Sequence, residues 1–122
     1  DVLGHLTYPL RYIEGEHGFS VPCSAYEEQI RQCFSAVIQA GKGIELNVSG
    51  LRQKYGKPFP TLELLRLYRE LGGEILTIGT DAHCAADLGS HLSDGMQLAK
   101  EAGFRYLCWF ERHQPQFTAI SI

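Results

Sequence analysis

Asp81 and His83, one residue apart in Gly79-Thr80-Asp81-Ala82-His83, join a carboxylate to an imidazole at a spacing that can serve one metal ion. In an extended chain, side chains at i and i+2 point to the same side. A carboxylate with imidazoles suits Zn, Mn or Fe, whereas Ca takes oxygen ligands only. Gly79 would let the backbone come close to such a centre. His5, in Gly4-His5, is the third candidate ligand. A plainer reading stays open: Asp81 capping a turn, His83 at the surface, His5 hydrogen-bonded in an apolar segment, since short motifs recur by chance. Arg11 and Arg52 are the candidate anion contacts, because a forked guanidinium matches a pair of phosphate oxygens. Either could equally be a solvated loop charge. His17, His91 and His113 read as structural or solvated, and Glu45, turned toward either a barrel interior or solvent, is given no role.

These residues need elements to bring them together. Residues 1–6 read as a strand, and Thr7 to Cys23 as a loop. A helix follows, with Ser24 and Glu27 as an S-x-x-E capping box. Its apolar stripe is Tyr26, Ile30, Cys33, Phe34, Val37 and Ile38, and Gly41 ends it. Residues 43–48 alternate as a half-buried strand should. Leu51 to Pro60 is a basic loop, and a second helix runs from about Thr61 to Leu71, stopped by Gly72-Gly73. Residues 75–78 form a short apolar strand suited to burial on both faces. A third helix is expected between about Asp87 and Ala102, with Gly95 marking close packing in its middle. Tyr106 to Phe110 is a further strand, and Phe117 to Ile122 an extended segment.

Strand and helix thus alternate with short connections, which implies an α/β fold of βα units on a mainly parallel sheet, in either a barrel or an open sheet. In such folds functional residues gather past the carboxyl ends of the strands. Three successive strand ends carry polar groups: His5; Asn47 and Ser49; Asp81 and His83. All would open on one face.

The composition sets bounds on function. The 122 residues make one ordinary domain, 44% hydrophobic and 20% charged, without repeats. A formal charge of −3 offers no basic footprint for nucleic acid, and no apolar run is long enough to span a membrane. Cys23, Cys33, Cys84 and Cys108 lack CxxC spacing, which disfavours a zinc knuckle or dithiol motif and fits reduced thiols in a cytoplasmic protein. Cys33 and Cys108 read as buried small hydrophobes, while Cys84 sits next to a candidate ligand. The opening Asp1-Val2-Leu3 reads as mid-domain, so a fragment of a longer protein is expected.

Asp1-Val2-Leu3-Gly4-His5-Leu6, Ile44-Glu45-Leu46-Asn47-Val48-Ser49-Gly50-Leu51-Arg52 and Thr77-Ile78-Gly79-Thr80-Asp81-Ala82-His83 resemble the C-terminal half of PHP-family phosphoesterases, in the histidinol-phosphate phosphatase branch. The resemblance runs on through Leu62-Glu63-Leu64-Leu65 and Ala102-Gly103-Phe104. It implies the C-terminal part of a distorted (β/α)7 barrel, with residues 1–122 a single C-terminal fragment of the domain. It further implies two or three divalent ions in the complete site, a metal-bridged hydroxide attacking a phosphate monoester, and a small phosphorylated substrate, L-histidinol phosphate first. His5 matches the third-motif histidine, Asp81 and His83 the fourth-motif ligands, and Arg11 and Arg52 fall at phosphate-contacting positions. The first-motif His-x-His, the second-motif histidine and the bridging glutamate are expected upstream, so the fragment alone should be inactive. Its open sheet edge invites homo-oligomerisation or strand exchange. The alternatives are a degenerate PHP-like structural or regulatory module and a phosphoesterase for another small phosphate.

Overall fold

A computed structural model describes residues 1–121; Ile122, the end of the expected extended segment, lies outside the described residues. Strands β1 (Val2–Leu3), β2 (Gly43–Asn47) and β3 (Leu76–Gly79) form a parallel sheet ordered β1-β2-β3. Ile44 lies opposite Leu76 and Asn47 opposite Gly79. Helices α1 (Glu27–Gln39) and α2 (Leu62–Glu70) are the crossovers between these strands, and α3 (Leu92–Glu101) follows β3. The βα alternation and parallel sheet expected from the sequence are therefore present. No helix among the described residues is long and apolar enough to cross a membrane.

The core is built where the helices cover β2. Phe34 of α1, Leu65 and Tyr68 of α2, Ala99 of α3 and Ile44 and Leu46 of β2 are wholly buried together. The Tyr68 hydroxyl donates to the Ile75 carbonyl at 2.9 Å, so its one polar atom is paired within the core. Gly95 is close-packed as expected: a Cβ there would stand 2.5 Å from Ile78 Cδ1 and 2.6 Å from Val48 Cγ1.

Several expectations need correction. β1 is two residues rather than six, because His5 and Thr7 take left-handed backbone angles and turn the chain. The Ser24–Glu27 capping box does not form. Pro22 leads into a single turn of 3-10 helix over Cys23–Tyr26, α1 begins at Glu27 with no side-chain cap, and Glu27 pairs with Arg31 at 2.9 Å. α3 starts five residues later than expected, because Gly89 and His91 adopt positive φ and interrupt the helical ladder. β2 is buried at Gly43, Ile44, Leu46 and Asn47, with only Glu45 partly exposed, rather than half-buried by alternation, being the middle strand with helices across it.

The largest departure is at the carboxyl end. β4 (Tyr106–Glu111) does not continue the parallel ladder; it pairs antiparallel with β5 (Gln114–Ala119). Arg112 and His113 both have positive φ, the requirement of a two-residue type I′ turn. A reversal that short enforces antiparallel pairing, since a parallel return needs a long crossover. The hairpin lies against the sheet through contact of β4 with β3.

A second, smaller cluster positions the site. Leu10, Tyr55 and Phe59 pack together, with the Tyr55 and Phe59 rings stacked at 5.0 Å. Phe59 and Asn47 exchange backbone hydrogen bonds at 2.9 Å each, pinning the end of β2. The cluster also seats the turn over Arg11–Glu16, a segment expected to be irregular.

Candidate metal centre

Successive side chains of β2 face opposite ways. Ile44 and Leu46 enter the core, so Glu45 and Asn47 face the other side, at the carboxyl end of the sheet. Asn47, 1% exposed, anchors a polar network there. Its Oδ1 accepts the Ser49 N–H at 3.0 Å, so its Nδ2 is directed at two carboxylates. It donates to Glu45 Oε1 at 3.1 Å and to Asp81 Oδ2 at 3.3 Å. The His5 N–H donates to the same Glu45 oxygen at 3.0 Å, joining the ends of β1 and β2. Gly79, opposite Asn47 on β3, leaves room for this carboxylate: a Cβ there would lie 2.5 Å from Glu45 Oε2.

Beyond β3 the chain turns at Asp81, whose φ is 49°. Asp81 Oδ1 then stands 3.1 Å from His83 Nε2, and the His83 side chain is 86% exposed. Zinc bonds of 2.0–2.2 Å at tetrahedral angles put neighbouring ligand atoms about 3.4 Å apart. The pair thus fits one zinc-type ion in donor chemistry and in spacing, as two of its ligands. No group of three or more His, Cys, Asp or Glu side chains able to hold an ion occurs among the described residues. His5 reaches the same rim through its backbone, while its ring packs 5.2 Å from that of Tyr8.

Arg11 and Arg52 line a cleft of about 540 Å³ together with Tyr8, Ser49, Gln53, Asp81, His83 and Asp87. Arg11 Nη1 donates to the Tyr8 hydroxyl at 2.9 Å, and its guanidinium lies 5.3 Å from the Tyr12 ring centroid. The hydrogen bond with Tyr12, reinforced by that from Arg11, holds the Tyr8 phenol below its ordinary pKa; the Tyr8–Tyr12 bond raises the Tyr12 phenol, and the separate bond from Arg11 to Tyr8 raises the guanidinium. Arg52 is engaged with backbone. Nη1 donates to the Thr80 carbonyl at 2.6 Å and Nη2 to the Asp81 carbonyl at 3.0 Å, while Nε lies 3.4 Å from Asp87 Oδ2.

The fold therefore brings Asp81 and His83 together, sets Arg11 and Arg52 around them, and places His5 on the rim without its imidazole joining the pair. Sequence reasoning set Asn47 on this face as a strand-end polar group but left Glu45, its partner in the network, without a role. The available signal for Glu45 was its alternation with Ile44 and Leu46, which marks a polar face but not what that face meets. His91 and His113 lie outside the cleft, against Asp94 at 2.8 Å and Asp1 at 3.0 Å. All four cysteines are free thiols, and the exposed Cys84 donates to Asp87 Oδ2 at 3.3 Å. Cys108 is buried and Cys33 only half-buried.

No protein-family model matches the chain. A probable histidinol-phosphatase of Thermotoga maritima is 33% identical over 105 residues, which are 86% of this chain and 42% of that protein. A histidinol-phosphatase of Lactococcus lactis is 30% identical over 108 residues, 88% of this chain and 39% of that protein. The chain thus spans less than half the length of these relatives. In fold it is similar to the crystal structure of a histidinol phosphate phosphatase from Lactococcus lactis complexed with Zn, L-histidinol and phosphate. That match has a TM-score of 0.62 and 23% identity, and covers 80% of this chain and 36% of that one. The chain is thus a relative of the histidinol-phosphatases, matching a part of them.

Proposed function

We propose that this chain supplies part of the active site of a metal-dependent phosphatase that hydrolyses a phosphate monoester, L-histidinol phosphate first, in histidine biosynthesis. The observation that carries the reading is the Asp81–His83 pair, 3.1 Å apart at the carboxyl end of β3, in a chain related to histidinol-phosphatases. Asp81, His83 and His5 are the ligands assigned to Zn, Mn or Fe, two or three ions in the complete site. The chain is read as the C-terminal part of a PHP-type barrel, with further ligands contributed from outside these 122 residues. The protein is assigned to the cytoplasm.

Divalent ions bound there would lower the pKa of a bound water and neutralise charge developing on phosphate oxygens. The chain's own residues do the positioning. Asn47 aims the Asp81 carboxylate, and Asp81 and His83 present one oxygen and one nitrogen on the same side of the turn. Arg11, in the lining of the cleft, offers a cation to the substrate phosphate.

The test uses the longer protein carrying this chain, loaded with Mn or Zn, and follows phosphate release from L-histidinol phosphate. Asp81→Asn combined with His83→Ala should reduce turnover by at least about 100-fold, the scale on which loss of metal-assisted catalysis is felt. Turnover that survives the double substitution rejects the site. A second reading is a noncatalytic PHP-like module. An inert longer protein with fully bound metal would favour it. Self-association through the edge of β1 is proposed for the isolated chain, and a monodisperse monomer in light scattering counts against it.

A further inference from the structure

Arg52 carries the most connections around the Asp81 turn, and they run to backbone. Its two terminal nitrogens reach consecutive carbonyls, Thr80 at 2.6 Å and Asp81 at 3.0 Å. Two hydrogen bonds from one rigid, planar group fix the orientation of two successive peptides. Those peptides need fixing, because Asp81 has a φ of 49°, a region a non-glycine residue occupies only when its surroundings impose it. The third contact orients the guanidinium itself: Nε lies 3.4 Å from Asp87 Oδ2. Asp87 is held in turn by the Cys84 thiol. Arg52 closes the 3-10 turn Ser49–Arg52 that directly follows β2, so the clamp runs from the end of β2 to the turn after β3. Its side chain is only 18% exposed, which favours these contacts over solvation.

We propose that Arg52 and Asp87 are positioning residues for the Asp81–His83 pair, fixing the turn that presents both ligands; the inference rests on the metal-centre reading above. Arg52 is thereby assigned chiefly to the backbone, and Arg11 is left as the cation facing the anion. Lysine keeps the charge but offers a single point donor, which cannot hold both carbonyls in the same geometry. Changes to residues that orient a metal's ligands typically weaken binding by about 10–100-fold.

The experiment measures Zn²⁺ affinity of the longer protein carrying this chain by competition with a chromophoric chelator, together with the visible spectrum of the Co²⁺ form. Arg52→Lys should weaken Zn²⁺ binding by about 10-fold or more and change the Co²⁺ bands, which report ligand geometry. Asp87→Asn, at a half-exposed side chain that can be replaced without disturbing the core, should shift both readouts the same way by a smaller factor. Arg31→Lys, in the surface pair with Glu27, should leave both unchanged. Wild-type Zn²⁺ affinity and Co²⁺ spectrum in both Arg52→Lys and Asp87→Asn overturn the clamp while leaving the metal centre standing. So does an Arg52→Lys chain that loses affinity for inorganic phosphate but keeps Zn²⁺, because that assigns Arg52 to the anion. A longer wild-type protein with no Zn²⁺ affinity removes the metal centre, and the clamp's purpose with it.

Discussion

Asn47 shows how one buried amide can organise two acids. Its Oδ1 is committed to the Ser49 N–H, so its Nδ2 must face Glu45 and Asp81. Donation to both carboxylates offsets the repulsion that would otherwise part them. Asn47→Ala removes the bridge and leaves a buried N–H unsatisfied, which costs about 1–3 kcal/mol. Urea unfolding should show that loss, and an unchanged midpoint would mean the network does not form in solution. Gly79→Ala acts on the same network from the opposite strand. The new Cβ would meet Glu45 Oε2 at 2.5 Å, and the movable end of the Glu45 side chain must give way. Zn²⁺ affinity should fall while the fold persists, and unchanged affinity would separate Glu45 from the centre. At this scale Asp81 and His83 were legible because they are neighbours in sequence, and strand-end placement then implied a shared face. Glu45 was not, because alternation in β2 reveals a polar face without revealing that the face meets β1 and β3 residues instead of water.

Elements were legible where their signal is local. Gly41 ends α1 in a left-handed conformation, with the Lys42 N–H bonded to the Val37 carbonyl as a glycine C-cap implies. The start of α3 was not legible, since nothing in the residue type marks His91 for a φ of 60°. The β4–β5 turn is a similar case. Arg112-His113 lacks the Asn-Gly or Asp-Gly signature of a type I′ turn, and contact of His113 with Asp1, distant in sequence, accompanies its left-handed backbone. Gly95 puts local preference and packing in direct competition. Alanine there should stabilise α3 by up to about 1 kcal/mol through helix propensity. Its Cβ would meet Ile78 and Val48 at 2.5 and 2.6 Å in a closed core, and overpacking costs about 1–3 kcal/mol. Packing should win: Gly95→Ala is expected to lower the thermal midpoint, and a raised midpoint would show that α3 can shift away from the sheet.

Across the whole molecule, stability is linked to proton release from tyrosines that folding shuts away. Burial pushes the Tyr68 phenol up to about 12, and burial likewise pushes Tyr55 up to about 12. In the unfolded chain phenols ionise near pH 10. Below pH 10 both states keep these protons, so the two groups add no pH dependence. Between about pH 10 and 12 the unfolded chain releases protons that the folded chain retains, and stability must fall as pH rises. Tyr68 sits where α1, α2 and the sheet meet, with its ring 5.2 Å from that of Phe34 and 6.1 Å from that of Phe104. Its ionisation therefore acts on the shared core and not on one element. Tyr68→Phe separates the two contributions of the hydroxyl. At pH 8 the variant should be less stable by about 0.5–1.5 kcal/mol, the net worth of the hydrogen bond to the Ile75 carbonyl. Above pH 10 it should lose stability less steeply than the wild type, because one titration is gone while that of Tyr55 remains. Urea midpoints measured from pH 8 to 11.5 on both proteins would test this. Parallel curves would show that Tyr68 is not what makes the fold yield to base.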